Sequence, residues 1–185
     1  ELLISGNESV YSAIMTTITV SSWSLMISLL IGLPLGFALG YYNFFGKSVI
    51  RTLVDTLLAL PTVVIGLIAY TMLSQAGPLG EYNLLFSQEA IILWQIVLGL
   101  PIIIALTAAQ VESVDKRLYS SLKGLGAHSW QILTATLIEA RFGIMTAAMT
   151  AYGRIITEIG ISMMVGGNIK YHTRTVTTAI ALETG

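Results

Sequence analysis

A chain of 185 residues that is 55% hydrophobic and only 10% charged, with a mean hydropathy of +0.80, lies far from the roughly one-quarter charged composition of a soluble domain. It leaves no room for a separate soluble enzyme domain and suits one bundle of about four spans, since each crossing of about 30 Å of hydrocarbon takes roughly 20 apolar residues. A net charge of −1 says nothing about nucleic acid, because topology rather than a basic face explains the basic residues, and no nucleic acid partner is expected; the lack of cysteine excludes disulfides and thiolate sites, and two histidines, His128 and His172, argue against a protein-held metal.

The first residues carry Glu1 and Glu8 and no base, so no signal peptide is visible, and Asn7-Glu8-Ser9 is a weak glycosylation match. The first span runs over about 10–41. It is longer than a bilayer needs and is expected to tilt, or to extend along the interface through the Ser/Thr-rich stretch 12–24. Gly32, Gly36 and Gly40 recur every fourth residue, a small-residue stripe for close helix packing. Residues 40–48 imitate a phosphate-binding loop, but five residues separate the glycines instead of four and a membrane helix precedes them; Tyr41, Tyr42, Phe44 and Phe45 read as an interfacial aromatic belt.

Further spans are expected over about 49–74, 89–114 and 142–165. All are read as helices, because open strand edges cannot face lipid and barrel-like alternation is missing. Pro34, Pro61 and Pro101 lie within spans, and each is expected to kink its helix or open a short non-helical stretch, either as a plain packing kink or as the lining of a passage. Lys47 and Arg51 sit between spans one and two, whereas 75–88 holds Glu81 and no base. That bias places 42–48 and 116–141 in the cytoplasm and the N-terminus and the tail 166–185 outside, against which Lys170 and Arg174 pull mildly.

Arg154 and Glu158 fall near mid-membrane, four apart, where they share a helix face and neutralise each other. Charged groups there face a bundle interior or a wet cavity, so the pair reads as path or gate rather than as a structural ion pair, with Gly153 and Gly160 leaving open backbone around it. Glu112 and Lys116 form a second spacing-four pair, read as solvated at the surface. The segment 116–141 gathers Lys116, Arg117, Lys123 and Arg141, with apolar residues at Leu118, Leu122, Leu125, Ile132, Leu133 and Leu137 and breaks at Gly124, Gly126 and His128. It reads as a helix, a glycine turn and a second helix, fit either to dock in a groove of a soluble partner or to lie on lipid.

The run Ser120-Ser121-Leu122-Lys123-Gly124-Leu125-Gly126-Ala127-His128-Ser129-Trp130 resembles the cytoplasmic EAA loop of ABC-importer permeases, with Gly126 the best-matched position and Ser120 where the motif is acidic. The stretches 60–67, 77–80 and 154–169 are similar to permeases of the molybdate, sulfate and tungstate group, and 173–184 looks most like the tungstate branch. The resemblance implies an all-α polytopic permease in a prokaryotic cell membrane, with a further span after this point whose absence reads as truncation or a shortened chain. It implies that Ser120, Ser121, Leu122, Leu125, Gly126, Ala127, His128 and Ser129 form a coupling helix, and that this chain holds no catalytic residue, metal or cofactor. ATP and Mg then belong to two separate ATP-binding subunits, and an external binding protein delivers the oxyanion. One such loop per chain calls for a homodimer. Pro61, Thr62, Arg154, Thr157, Glu158, Ser162 and Asn168 are the expected path or gate residues. The alternatives are a permease for molybdate or sulfate, an ATP-independent channel or secondary transporter suggested by the similar Leu-x-Leu-Pro stretches before Pro61 and Pro101, and a scaffold that transports nothing, which mid-membrane charge argues against.

Overall fold

The computed structural model describes residues 8–183, so Glu1, Asn7 and the last two residues lie outside the described part. Among the described residues there are eight α-helices and no strand: α1 Glu8–Tyr41, α2 Lys47–Ala59, α3 Thr62–Leu73, α4 Gln88–Ser113, α5 Lys116–Gly124, α6 Ser129–Ile156, α7 Gly160–Gly166 and α8 Val176–Glu183, with a 3-10 turn Gly80–Tyr82 before α4. Three of them, α1, α4 and α6, are long and apolar enough to cross a membrane. The pair α2 and α3, bent by 95° at its break, passes the same test only when taken together.

The centre of the fold is a parallel seam between α1 and α4. A Cβ placed on Gly32, Gly36 or Gly40 would come within 2.8 Å of Ile103, Thr107 and Val111 respectively, so only glycine lets the two backbones approach this closely. Farther along, the Ser24 hydroxyl meets Gln95 Oε1 at 3.0 Å, at the same offset of 71 residues. The glycine stripe is thus a packing stripe, as its period suggests. The stretch 12–24, expected to tilt or to extend along the interface, stays within α1 and packs against the bundle. Thr16, Thr17, Ser21 and Ser24 are buried on the bundle-facing side of one unbroken helix, because small hydroxylated side chains permit the same close contact as glycine does farther along.

The prolines behave unequally. Exposed Pro34 and buried Pro101 lie inside continuous α1 and α4, which the seam holds together on both sides of each proline. At Pro61 the helix stops: Leu60 (ψ 130°) and Pro61 (ψ 132°) are extended, and α3 leaves at a steep angle. Proline lacks the N–H and drives its predecessor out of the α region, and α2 has only Val54 buried against the bundle to offset that. The expected single span 49–74 is therefore two helices.

The helix α6 runs antiparallel to α4, with Gly143 under Gln110 and Ile155 against Gly99. It begins at Ser129, so the second helix expected within 116–141 and the fourth span are one continuous rod. That rod ends at Ile156, short of the expected 165, and the chain restarts as α7 beside α3. Ile65, Ala69 and Leu73 of α3, Trp94 and Leu98 of α4, and Ile161 and Val165 of α7 make one apolar cluster; Ile102, Ile103 and Ala151 make another between α4 and α6.

The segment expected as an external tail is folded through its described residues. The Thr173 hydroxyl bonds to Gly166 O, Arg174 Nε donates to Asn168 Oδ1 at 3.1 Å, and Val176 N–H at the start of α8 donates to Thr17 Oγ1 at 2.9 Å.

Candidate functional site

Two regions carry chemistry, one at an end of the bundle and one at its middle. At the end, Asp115 caps α5 by accepting from the Arg117 N–H at 2.8 Å. The helix stops through two reversed bonds, Gly126 N–H to Lys123 O at 3.1 Å and Ala127 N–H to Leu122 O at 3.0 Å, with Gly126 left-handed at φ 78°. This is a Schellman stop, which requires a residue tolerant of positive φ one place beyond the cap. The next helix starts at once: the Gln131 side chain accepts from the His128 N–H at 2.8 Å and Ser129 opens α6. The link from Leu125 to His128 therefore ends α5 and starts α6 within four residues. It leaves Leu125 84% exposed beside exposed Ser120, Ser121, Gly126, His128 and Ser129, with Leu122 and Ala127 half-buried.

The charges at this end pair differently from the expectation. Glu112 receives Lys47 Nζ at 3.1 Å and Arg51 Nη1 at 3.0 Å, and Lys116 belongs to the next helix, α5, not to that of Glu112. Arg51 also reaches Asp55 at 3.7 Å. The bias of basic loops had placed these two segments on one side of the membrane, but pairing across 61 residues is set by the α1–α4 register and leaves no local mark.

At the middle, Arg154 occupies the last turn of α6, where a cation suits the helix dipole. Glu158 lies beyond the helix end, so the pair meets through a turn and not along a shared helix face. Its Oε2 is 3.5 Å from Arg154 Nη1, its Oε1 accepts from the Ile161 N–H at 3.1 Å, and its carbonyl accepts from the Thr177 hydroxyl at 3.2 Å. The carboxylate is buried to 1% exposure while the Arg154 side chain is 46% exposed. One charge is thus held fixed inside the protein and the opposite one is presented at its surface. Depth follows from packing: Ile155, next to Arg154, sits against Gly99 and Ser28, both far from the helix ends.

The other expected path residues divide. Thr157 is exposed, its hydroxyl donating to Gly153 O at 2.7 Å. Exposed Pro61 and half-buried Thr62 precede Val63, which approaches Gly160: a Cβ there would be 3.5 Å from Val63 and 3.2 Å from Glu158 Oε1. Ser162 is fully buried with an unbonded hydroxyl. Asn168, left-handed at φ 52°, ties the turn together by accepting from Arg174 Nε and the Thr178 hydroxyl.

The family model described as "Binding-protein-dependent transport system inner membrane component" matches residues 32–183. The chain belongs to that family, and with its broken span and short α5 it is a transmembrane permease subunit of an ABC importer. It is 48% identical to the tungstate uptake system permease protein TupB of Campylobacter jejuni over 99% of this chain and 77% of that one. It is 35% identical to the TupB of Peptoclostridium acidaminophilum over 98% and 80%, and 27% identical to the molybdenum transport system permease protein ModB of Escherichia coli K12 over 92% and 78%.

Proposed function

We propose that the chain builds half of a path for tungstate in an ATP-driven importer, as a homodimer with two ATP-binding subunits on its basic end and a substrate-binding protein at the other. ATP and Mg are held by the partner subunits, and the N-terminus lies outside. The observation that carries the reading is α5, a short capped helix with Leu125 standing 84% exposed at its glycine stop, on the end of the molecule where Lys47, Arg51 and Lys123 collect. An apolar side chain so exposed among charges suits a groove in a soluble subunit better than it suits water.

Arg154 supplies the path with positive charge. Held by buried Glu158, it offers an oxyanion a partly neutralised cation, and the exposed hydroxyl positions Thr146, Thr150 and Thr157 continue along the same side of α6. Weak, dispersed contacts of this kind suit passage, because a deep site would retain the ion. Two copies facing each other across this side of α6 close the path by two-fold symmetry.

Tungstate as cargo rests on the two TupB relatives; molybdate and sulfate are the competing cargoes. In cells or proteoliposomes carrying the complete importer, uptake of labelled tungstate is expected to fall with unlabelled tungstate and to withstand equimolar molybdate, sulfate and phosphate. Molybdate competing as well as tungstate would overturn the cargo assignment.

A further inference from the structure

The helix α2 is attached to the bundle in an unusual way. Among its described residues only Val54 is buried, and the rest of its apolar surface, including Val49, Leu53 and Leu57, is exposed. Its hold on the bundle is electrostatic: Lys47 and Arg51, one turn apart, both grip Glu112, and Lys47 Nζ also reaches Gly40 O at the end of α1 at 3.4 Å. Its other end is the bend at Leu60 and Pro61, where the backbone is extended and carries no capping side chain. Past that bend α3 is anchored, with Ile65, Gly66, Ala69 and Leu73 buried against α4 and α7.

Glu112 occupies a second special position. It is in the last turn of α4, and only Ser113 and Val114 separate it from Asp115, the cap of α5. A cleft of about 760 Å³ opens between these charges and α5, lined in part by Tyr41, Asn43, Asp115, Leu118 and Ser120. Neither helix is packed solid against the other there, so the ion pairs are the stiff link across the gap.

We propose that Glu112 is a positioning residue for transport: its ion pairs with Lys47 and Arg51 carry displacement of α5 into α2, which turns about Leu60 and Pro61 while α3 stays fixed. An arm hinged at one end and clamped at the other to the helix adjoining α5 moves with α5, and Val63, two residues past its hinge, faces Gly160 beside Glu158. The cargo path and the docking helix are thereby joined through one carboxylate. The inference rests on α5 receiving an ATPase.

The test uses the permease co-expressed with its ATP-binding subunit and reconstituted in proteoliposomes. Glu112→Gln is expected to leave the ATPase bound and hydrolysing while cargo moved per ATP falls about five-fold, the effect of losing two partly exposed ion pairs. Glu112→Asp, which keeps the charge facing Lys47 and Arg51, is expected to retain most of that coupling. Unchanged coupling in Glu112→Gln, or equal loss in Glu112→Gln and Glu112→Asp, overturns the inference. The chain has no cysteine, so spin labels on Thr56→Cys with Ser113→Cys, or with Ile68→Cys, report the geometry directly. On nucleotide trapping the 56–113 distance should hold while 56–68 changes; the opposite pattern overturns the strut. An unaltered chain that fails to retain an ATPase at all refutes the importer reading instead, which sets the two failures apart.

Discussion

Gly126 holds a left-handed backbone that any other L-residue except Asn enters at a cost of roughly 1–2 kcal/mol. No neighbouring atom lies within 4 Å of where its Cβ would sit, so the penalty for Gly126→Val comes from backbone conformation and not from crowding. The expected outcome is a frayed end to α5 and loss of uptake with the membrane bundle intact, while Gly126→Asn retains more activity than Gly126→Val; thermal unfolding in detergent together with an uptake assay separates the two effects. Glu158 makes the opposite case. Glu158→Ala strips an acceptor from the Ile161 N–H and a partner from Arg154, and should lower stability by about 1–3 kcal/mol, whereas Glu158→Gln keeps one oxygen and costs less. Ser162 has no hydrogen-bond partner, so Ser162→Ala should leave the melting temperature level or raise it. If uptake falls while stability does not, the hydroxyl serves the path; a marked drop in melting temperature would instead reveal a partner for it.

At the scale of helices, close approach decides what is replaceable. Gly36→Leu would drive a side chain into Ile104 O and Thr107 of α4 and should destabilise the bundle by about 1–3 kcal/mol, whereas Gly153→Ala, with open space around it, should be tolerated. Comparing the detergent melting temperatures of the two checks this. The glycine stripe was readable because a repeat of small residues every fourth position has one ordinary meaning in a membrane, close helix contact. The partner helix was not readable, since period alone says nothing of which neighbour fills the groove. The three prolines share a local setting and yet only Pro61 breaks its helix; what separates them is that α1 and α4 are held along their length by the seam they share, a property of the folded bundle. For the same reason the reach of α6 from Ser129 was hidden: a glycine turn advertises the end of α5, but a polar first turn looks alike whether the helix stops at the interface or runs on through the membrane.

For the whole molecule, hydropathy and loop charge sufficed for an all-helical polytopic chain with its basic loops at one end, because lipid imposes that pattern on every span. Pairings across the bundle, such as Glu112 with Lys47 and Arg51, depend on the parallel register of α1 and α4, which no local pattern encodes. That register bears also on how the protein is made. Ser24 of α1 meets Gln95 only after 71 further residues have been synthesised, so α1 enters the bilayer well before its partner exists. In that interval the Thr17 and Ser24 hydroxyls are not stranded: Thr17 donates to Ala13 O and Ser24 to Val20 O, each at 2.7 Å within α1 itself. These two groups are therefore satisfied by the nascent helix alone, and its seam of glycine and hydroxyl groups is a surface kept in waiting until α4 arrives to close it.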